Sequence, residues 1–325
     1  MNRPSVTLPM PNQASNTSYN NANQMLSFND KNITYDNNGN MTSVTNSCGT
    51  TNYTWDVRNR LTGIGGFNVD CSSLTASFKY DALNRRIEKT INGVMTKYLY
   101  DGADIIQELN QDGSVKANYI RGLNIDEPLA RLTPNASRYY QTDALGSVIA
   151  LTDDTGAVKT TYTYDAFGNT TISGESSDNP FQYTGRENDG TGLYYYRARY
   201  YSPELQRFIS EDPIGLVGGI NKFVYTENNP IRYKDPQGLT VGAAIGAAFG
   251  VGVGCIIGHC TYKCNKRCKE LYPQNISDEL GGYDLNYNQR MRCFFNCELY
   301  CASFGLFGSD PLTGPIAGGV HAGSH

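Results

Sequence analysis

The 325-residue sequence predicts a mainly β protein, built from repeated antiparallel hairpins and followed by a small α-helical, cysteine-rich module. Composition is the first reason, because 24 tyrosines, 34 glycines and a single tryptophan favour sheet with many turns over a helical bundle. A recurring pair of an aromatic residue and aspartate is the second reason. The hydrophobic content of 39% also excludes a disordered chain.

The charge pattern argues against nucleic-acid binding. The formal net charge is −4, the pI is about 5.5, and no basic stripe stands out in the sequence. We therefore predict no nucleic-acid partner. No phosphate-binding loop, HExxH motif or deaminase pattern occurs either, so we predict no cofactor.

The repeat region is predicted to span 33–179, after a loose lead-in over 1–32 that is rich in Asn, Ser and Pro. An aromatic residue followed by aspartate recurs at Tyr35-Asp36, Trp55-Asp56, Tyr80-Asp81, Tyr100-Asp101 and Tyr164-Asp165, with a degenerate copy at Thr142-Asp143. The first four copies are 20, 25 and 20 residues apart. Spacing of this length is typical of stacked structural units.

Each unit is predicted to be a hairpin. Alternating segments such as Lys97–Tyr100 and Thr160–Tyr164 fit strands with one aromatic face. The aspartate caps the turn that follows, and Asn or Gly tolerates the positive φ that the turn needs. We interpret the aromatic residues as core, with carbohydrate binding by exposed rings as the alternative.

The stretch 180–239 reads PFQYTGRENDGTGLYYYRARYYSPELQRFISEDPIGLVGGINKFVYTENNPIRYKDPQGL and contains DPxGL twice, at Asp212–Leu216 and Asp235–Leu239. This run resembles the terminal core of the RHS/YD-repeat family of polymorphic toxins and toxin cages. The resemblance implies that the ribbon curls into a shell and that 180–239 is the core domain. With only about six repeats, we expect a partial shell.

The same resemblance implies a self-cleaving site. Family members that cleave themselves do so just after the second DPxGL, with two aspartates and an arginine. Those roles fall here on Asp212, Asp235 and Arg199, and the scissile bond is Leu239–Thr240. The alternative is that both motifs are ordinary turns, because Asp-Pro-x-Gly is a good turn in any protein.

The chemistry of these residue types fits hydrolysis. Two neighbouring carboxylates share a proton, so the pair can both activate water and protonate the leaving nitrogen. A nearby guanidinium holds one carboxylate ionised or stabilises the oxyanion.

The segment 240–258 has a different character, because glycine recurs every four residues and no charge interrupts the run. On a helix these glycines share one face, which favours close helix packing or membrane contact. A buried or flexible segment inside the shell is the alternative, since so much glycine weakens a helix.

The segment 259–325 is predicted to be a cysteine-stapled helical hairpin, because two cysteine triplets recur at helical spacing. An antiparallel arrangement pairs the disulfide candidates as Cys260 with Cys301, Cys264 with Cys297, and Cys268 with Cys293. A soft-metal site that includes His259 is the alternative. The segment contains no recognisable enzyme motif.

The sequence thus predicts a toxin-delivery protein that releases a variable C-terminal effector after Leu239. Expected partners are an immunity protein and secretion-system or further shell components. The alternative is a non-catalytic surface protein that binds glycans or neighbouring cells through its repeats. Cysteine density favours an oxidising compartment, whereas residues 1–19 lack the apolar core of a signal peptide. We therefore expect secretion or surface display by a non-classical route in a bacterium.

Overall fold

The computed structural model describes residues 16–239, and antiparallel sheet dominates this range, as predicted. The glycine-rich segment, the cysteine hairpin and Thr240 lie outside the described residues. The long sheet contains β1 Thr17–Tyr19, β2 Met25–Phe28, β3 Lys31–Tyr35, β4 Met41–Asn46, β5 Gly49–Trp55, β6 Leu61–Phe67, β7 Ser73–Tyr80, β8 Arg86–Ile91, β9 Val94–Asp101, β10 Asp104–Leu109, β11 Val115–Arg121, β12 Pro128–Leu132, β13 Ser137–Thr142, β14 Val148–Thr152, β15 Val158–Tyr164 and β16 Thr170–Gly174. The short sheet contains β17 Glu187–Asn188, β18 Tyr194–Tyr196, β19 Arg199–Ser202 and β20 Arg207–Phe208. Three 3₁₀ turns cover Tyr183–Gly185, Gly215–Gly218 and Thr226–Asn228.

The strands of each sheet follow chain order, so every neighbour is joined by a hairpin-type connection. The 16-stranded sheet begins at β1 and ends at β16 without closing on itself. The expectation that residues 1–32 form a loose lead-in is wrong for its later part, because β1 and β2 already belong to the sheet. The sequence of this stretch shows no periodic pattern because the two strands are only three and four residues long.

In most repeats the aspartate organises its turn as the sequence predicts, whereas Asp101 ends β9 and lies opposite Asp104 in a short hairpin. Asp81 Oδ1 accepts the backbone N–H groups of Leu83 and Arg85, both at 2.9 Å. Asn84 occupies the left-handed region with φ of 64°. Asp36, Asp56, Asp143, Asp153 and Asp165 accept the same two backbone bonds in their own turns. Local chemistry therefore fixes where the chain reverses.

In four of the repeats the aromatic residue bonds to the preceding repeat. Trp55 Nε1 donates to Met41 O at 2.7 Å, and Tyr80 OH donates to Leu61 O at 2.7 Å. Tyr100 and Tyr164 make the same bond to Arg86 O and Val148 O. Each acceptor is the first residue of the strand that follows the preceding turn. The rings thus join consecutive units.

The short sheet packs against one face of the long sheet, which curves around it. Phe28 and Leu61, from the first strands, share a buried cluster with Leu205 and Ile209 of the core. Farther along the ribbon, Tyr140 and its neighbours share a second cluster with Phe181. Because both halves of the ribbon contact the same core, the sheet forms a partial shell around residues 180–239.

A disulfide joins two hairpin turns at one edge of the ribbon. Cys48 lies between β4 and β5, Cys71 lies between β6 and β7, and their Cα atoms are 5.1 Å apart. The two cysteines are 23 residues apart in sequence, so no local pattern predicts their pairing.

Within residues 16–239, no helix has the length and apolar character needed to cross a membrane.

Candidate active site

The first DPxGL motif follows β20 and forms a capped turn. Asp212 N donates to Lys222 O at 3.0 Å, and Gly215 N donates to Asp212 O at 2.9 Å. The Asp212 carboxylate accepts Ile214 N through Oδ1 at 3.0 Å. The turn leaves Oδ2 pointing toward the second motif, where Arg199 contacts it.

The second DPxGL motif ends the described chain with a similar turn. Leu239 N donates to Asp235 Oδ1 at 3.0 Å, so the aspartate binds the amide of the residue before the predicted scissile bond. Gly238 has φ of +67°, and a side chain there would collide with the carbonyl of Tyr196. Glycine is required at this position because the turn lies directly against β18.

Arg199 brings the two motifs together. Its Nη2 lies 2.9 Å from Asp212 Oδ2 and 3.5 Å from Asp235 Oδ2, so both carboxylates contact one nitrogen. Its Nη1 donates to Lys222 O at 3.0 Å, and its Nε donates to Gly238 O. The guanidinium carbon also lies 3.6 Å from the centre of the Phe208 ring. The three residues named from the sequence therefore form one cluster.

The cluster is withdrawn from water. Only 3% of Arg199, 7% of Asp212 and 2% of Asp235 is exposed. Burial raises the pKa of the Asp212 carboxyl above its usual range, although the neighbouring Arg199 opposes the shift. Burial likewise lowers the pKa of Arg199 to about 10, against the pull of both carboxylates. At neutral pH the arginine stays charged, and Asp212 holds a proton more readily than an exposed aspartate does.

Leu239 lines two cavities, and no sequence motif predicts either of them. One, of about 480 Å³, is bounded by Tyr100, Asp104 and Phe181 among others. The other, of about 340 Å³, is bounded by Trp55, Tyr80 and Ile214 among others. Both have walls from the repeats and from the core, and Arg199 of the cluster lines the second cavity.

Sequence reasoning missed Arg197, which lines both cavities and binds the Pro236 carbonyl. The signal was present in the repeated arginine of Tyr-Arg-Ala-Arg, of which only the second was assigned a role. Among residues 16–239, no group of three or more His, Cys, Asp or Glu side chains is placed to hold a metal ion.

Comparison with known proteins places the chain in a family. The family model described as Teneurin YD-shell matches residues 7–232. The tRNA3(Ser)-specific nuclease WapA of Bacillus spizizenii is 39% identical over 234 residues, which are 69% of this chain and 10% of that protein. The double-stranded DNA deaminase toxin A of Burkholderia cenocepacia is 29% identical over 260 residues, covering 70% of this chain and 18% of that protein. The chain thus spans between a tenth and a fifth of the length of these relatives.

Among solved structures, the crystal structure of TcdB2-TccC3 is similar with a TM-score of 0.48 and 22% identity. The match covers 64% of this chain and 14% of that chain.

Proposed function

The chain belongs to the RHS/YD-repeat family, in the group described by the Teneurin YD-shell, and from this premise we propose that it is a toxin-delivery protein. In this proposal, residues 33–239 are the carrier and residues 240–325 are a variable effector. The carrier releases the effector by cleaving its own chain between Leu239 and Thr240.

The names of the relatives support the division into carrier and effector. One relative is named for action on tRNA and another for action on double-stranded DNA. The regions that match these two relatives cover 69% and 70% of this chain. A shared part cannot account for unlike substrates, so their activities belong to other parts of those proteins. The family model, which ends at residue 232, supports placing the variable part of this chain after the core.

One observation carries the cleavage proposal: two buried carboxylates meet on Arg199 beside the residue whose carbonyl would be attacked. In the proposed reaction, the ionised carboxylate of the pair takes a proton from water as the water oxygen attacks the Leu239 carbonyl carbon. The protonated carboxyl gives its proton to the Thr240 nitrogen as the C–N bond breaks. The first products are a Leu239 carboxylic acid and a Thr240 amine, with one proton remaining on the pair. The new termini then exchange a proton to give the carboxylate and the ammonium.

The raised pKa of Asp212 supports this use of the pair. A carboxyl with a raised pKa keeps its proton more readily and can act as the acid, while Arg199, which contacts both members, stabilises whichever one is ionised. The pair titrates as a unit, so the roles are assigned to the pair.

Intact-mass measurement on the purified full chain tests cleavage. We expect two fragments that meet at Leu239 and Thr240 after incubation in a series of buffers from mildly acidic to neutral pH, because the raised pKa of Asp212 lets one carboxyl keep its proton while the other is ionised. Asp212→Asn and Asp235→Asn should each keep the chain intact. Glu211→Gln is the matched control, because Glu211 is adjacent in sequence but pairs with Lys222 at 2.7 Å instead.

A wild-type chain that stays intact throughout this range would refute cleavage. Cleavage that continues in the doubly substituted Asp212→Asn, Asp235→Asn protein would refute the assignment of these residues.

Growth of bacteria that express the full chain tests the effector. We expect wild-type expression to arrest growth and the uncleaved Asp212→Asn protein to be less harmful. An immunity protein encoded nearby should restore growth, and delivery would require secretion or further shell components. Equal, unimpaired growth with both proteins would count against an effector in 240–325.

Export is part of the proposal. The Cys48–Cys71 disulfide supports an oxidising destination, because such bonds are rare where glutathione keeps thiols reduced. Secretion of this chain or display on the cell surface agrees with that requirement.

A further inference from the structure

Three consecutive carbonyls before Leu239 are bound by three consecutive residues of the core. Pro236 O accepts from the Arg197 side chain, Gln237 O accepts from Ala198 N at 3.2 Å, and Gly238 O accepts from the Arg199 side chain. The segment 197–199 therefore holds the chain leading to the scissile bond in one register. Arg199 belongs to the carboxylate cluster, whereas Arg197 makes no ion pair with Asp212 or Asp235.

Arg197 is itself anchored to the repeats. Its Nη2 lies 2.8 Å from Asp126 Oδ1 and 3.2 Å from Asp104 Oδ1, and its Nη1 lies 3.2 Å from Asp126 Oδ2. Asp104 begins β10, and Asp126 lies on the connection between β11 and β12. One guanidinium thus joins two carboxylates of the repeat region to the backbone of the second DPxGL motif.

The surroundings show that this geometry is enforced. Arg197 adopts φ of 58°, a left-handed conformation that is unfavourable for a residue with a side chain. Its Nε is buried without a hydrogen-bond partner in the described residues. Asp126 is only 4% exposed and is also bound by Arg186. The left-handed backbone and the unpaired Nε are both unfavourable, yet the Nη atoms of Arg197 remain in contact with Asp104, Asp126 and Pro236 O.

We propose that Arg197 is a positioning residue for the cleavage, and that it makes cleavage depend on docking of the repeats against the core. The inference rests on the proposed self-cleavage. Arg197 sets the position of the Pro236 carbonyl, and through the next three residues it sets the position of Leu239 relative to the carboxylates. When β10 and the β11–β12 connection are displaced, Arg197 loses its anchor and Leu239 is no longer aligned.

Cleavage kinetics of the full chain test this role. A shift of about 1 Å at a reacting group costs roughly 100-fold in rate, so Arg197→Met should slow the appearance of the Thr240 terminus by about 10- to 100-fold. Arg197→Lys should recover only part of the rate, because an ammonium cannot bridge two carboxylates and a carbonyl as a guanidinium does. The pH dependence of the remaining rate should match that of the wild type, since the carboxylate cluster is intact.

Asp104→Asn tests the dependence on the repeats. Asp104 is partly exposed and its carboxylate pairs with Arg197, so its loss should slow cleavage by about threefold, in line with one partly exposed ion pair. Arg138→Met is the matched control, because Arg138 pairs with Glu175 away from the site and should leave the rate unchanged. Wild-type rates in both Arg197→Met and Asp104→Asn would overturn the inference.

A second readout separates failure of this inference from failure of the proposed function. In the uncleaved Asp212→Asn background, hydrogen exchange reports on the Leu239 amide, which donates to Asp235. Arg197→Met should accelerate its exchange by about tenfold, since local opening becomes easier. Unchanged exchange would overturn the positioning role even if the wild type cleaves, whereas faster exchange in a chain that never cleaves would refute only the cleavage.

Discussion

In four repeats the leading tyrosine or tryptophan has a polar role as well as an apolar one. Trp55 Nε1 and Tyr80 OH both donate to the first carbonyl of the strand that follows the preceding turn. Both rings carry a donor at their far end, which explains why tryptophan can replace tyrosine in the motif. Phenylalanine would fill the same space without the bond.

Tyr100→Phe tests this role. The substitution removes the 2.8 Å hydrogen bond to the partly buried Arg86 carbonyl, so we expect a loss of about 1 kcal/mol in the free energy of unfolding. Tyr139→Phe is the control, since Tyr139 OH bonds to Asp154 at the exposed surface. Its loss should lower the free energy of unfolding by less than about 0.5 kcal/mol. Denaturant unfolding of the two variants measures both values, and equal effects would contradict the role.

The environment of Asp212 predicts how cleavage varies with pH. Burial raises the pKa of this carboxyl above its ordinary 3.8, so its protonated form persists into less acidic solution. The cleavage rate should therefore fall as pH rises through the raised pKa, with a midpoint above 3.8. Rates of appearance of the Thr240 terminus across pH measure the profile. A rate that increases steadily toward neutral pH would show that the raised pKa does not govern the reaction.

At the scale of the elements, a buried charge network attaches the ribbon to the core sheet. Arg86 of β8 is fully buried and lies 2.7 Å from Glu187 of β17 through Nη2. It also pairs with Asp189, which Lys89 contacts at 2.9 Å. Its guanidinium carbon lies 4.2 Å from the centre of the Tyr195 ring. Removing one partner of such an ion pair leaves the other charge buried and unpaired. Ion pairs of this kind therefore specify where two elements meet.

Arg86→Met should therefore reduce the free energy of unfolding by about 3 to 5 kcal/mol, since two buried carboxylates lose their principal cation. The control is Arg138→Met, because Arg138 pairs with the exposed Glu175 and should change stability by less than about 1 kcal/mol. Thermal and denaturant unfolding compare the two. A similarly small loss for Arg86→Met would mean that apolar packing alone docks the core.

At the scale of the whole molecule, the long sheet has two outer edges. Within residues 16–239, β1 pairs only with β2 and β16 pairs only with β15. An unpaired strand edge offers backbone donors and acceptors to another chain. Among the five residues of β16, Ile172 is a large apolar side chain and is 47% exposed at this edge.

The full chain should accordingly associate with itself as concentration rises, and Ile172→Lys should reduce the association by placing a charge on the edge. Ile149→Lys is the matched control, because Ile149 is 43% exposed but lies on β14, which is paired on both sides. Sedimentation velocity over a range of concentrations measures both. Equal effects of the two lysines would assign the association to general surface hydrophobicity.

The sequence by itself determined the turns, the sheet class and the residues of the candidate cluster. A turn such as Asp81–Arg85 is fixed by bonds between residues no more than four apart, so the residue types suffice to predict it. The three cluster residues were named through a resemblance that covers 180–239, and their proximity is what that resemblance implies. Their role in cleavage stays a prediction.

Only the tertiary structure decided which distant residues meet. Cys48 and Cys71 are 23 positions apart, Arg86 and Asp189 are 103 apart, and Arg197 reaches Asp104 across 93. Short strands such as β1 and β2 are likewise held by their partners and not by a period of their own. The physical reason is that local hydrogen bonds set each hairpin, whereas these contacts depend on how the curved sheet and the core fit together, which the local sequence does not encode.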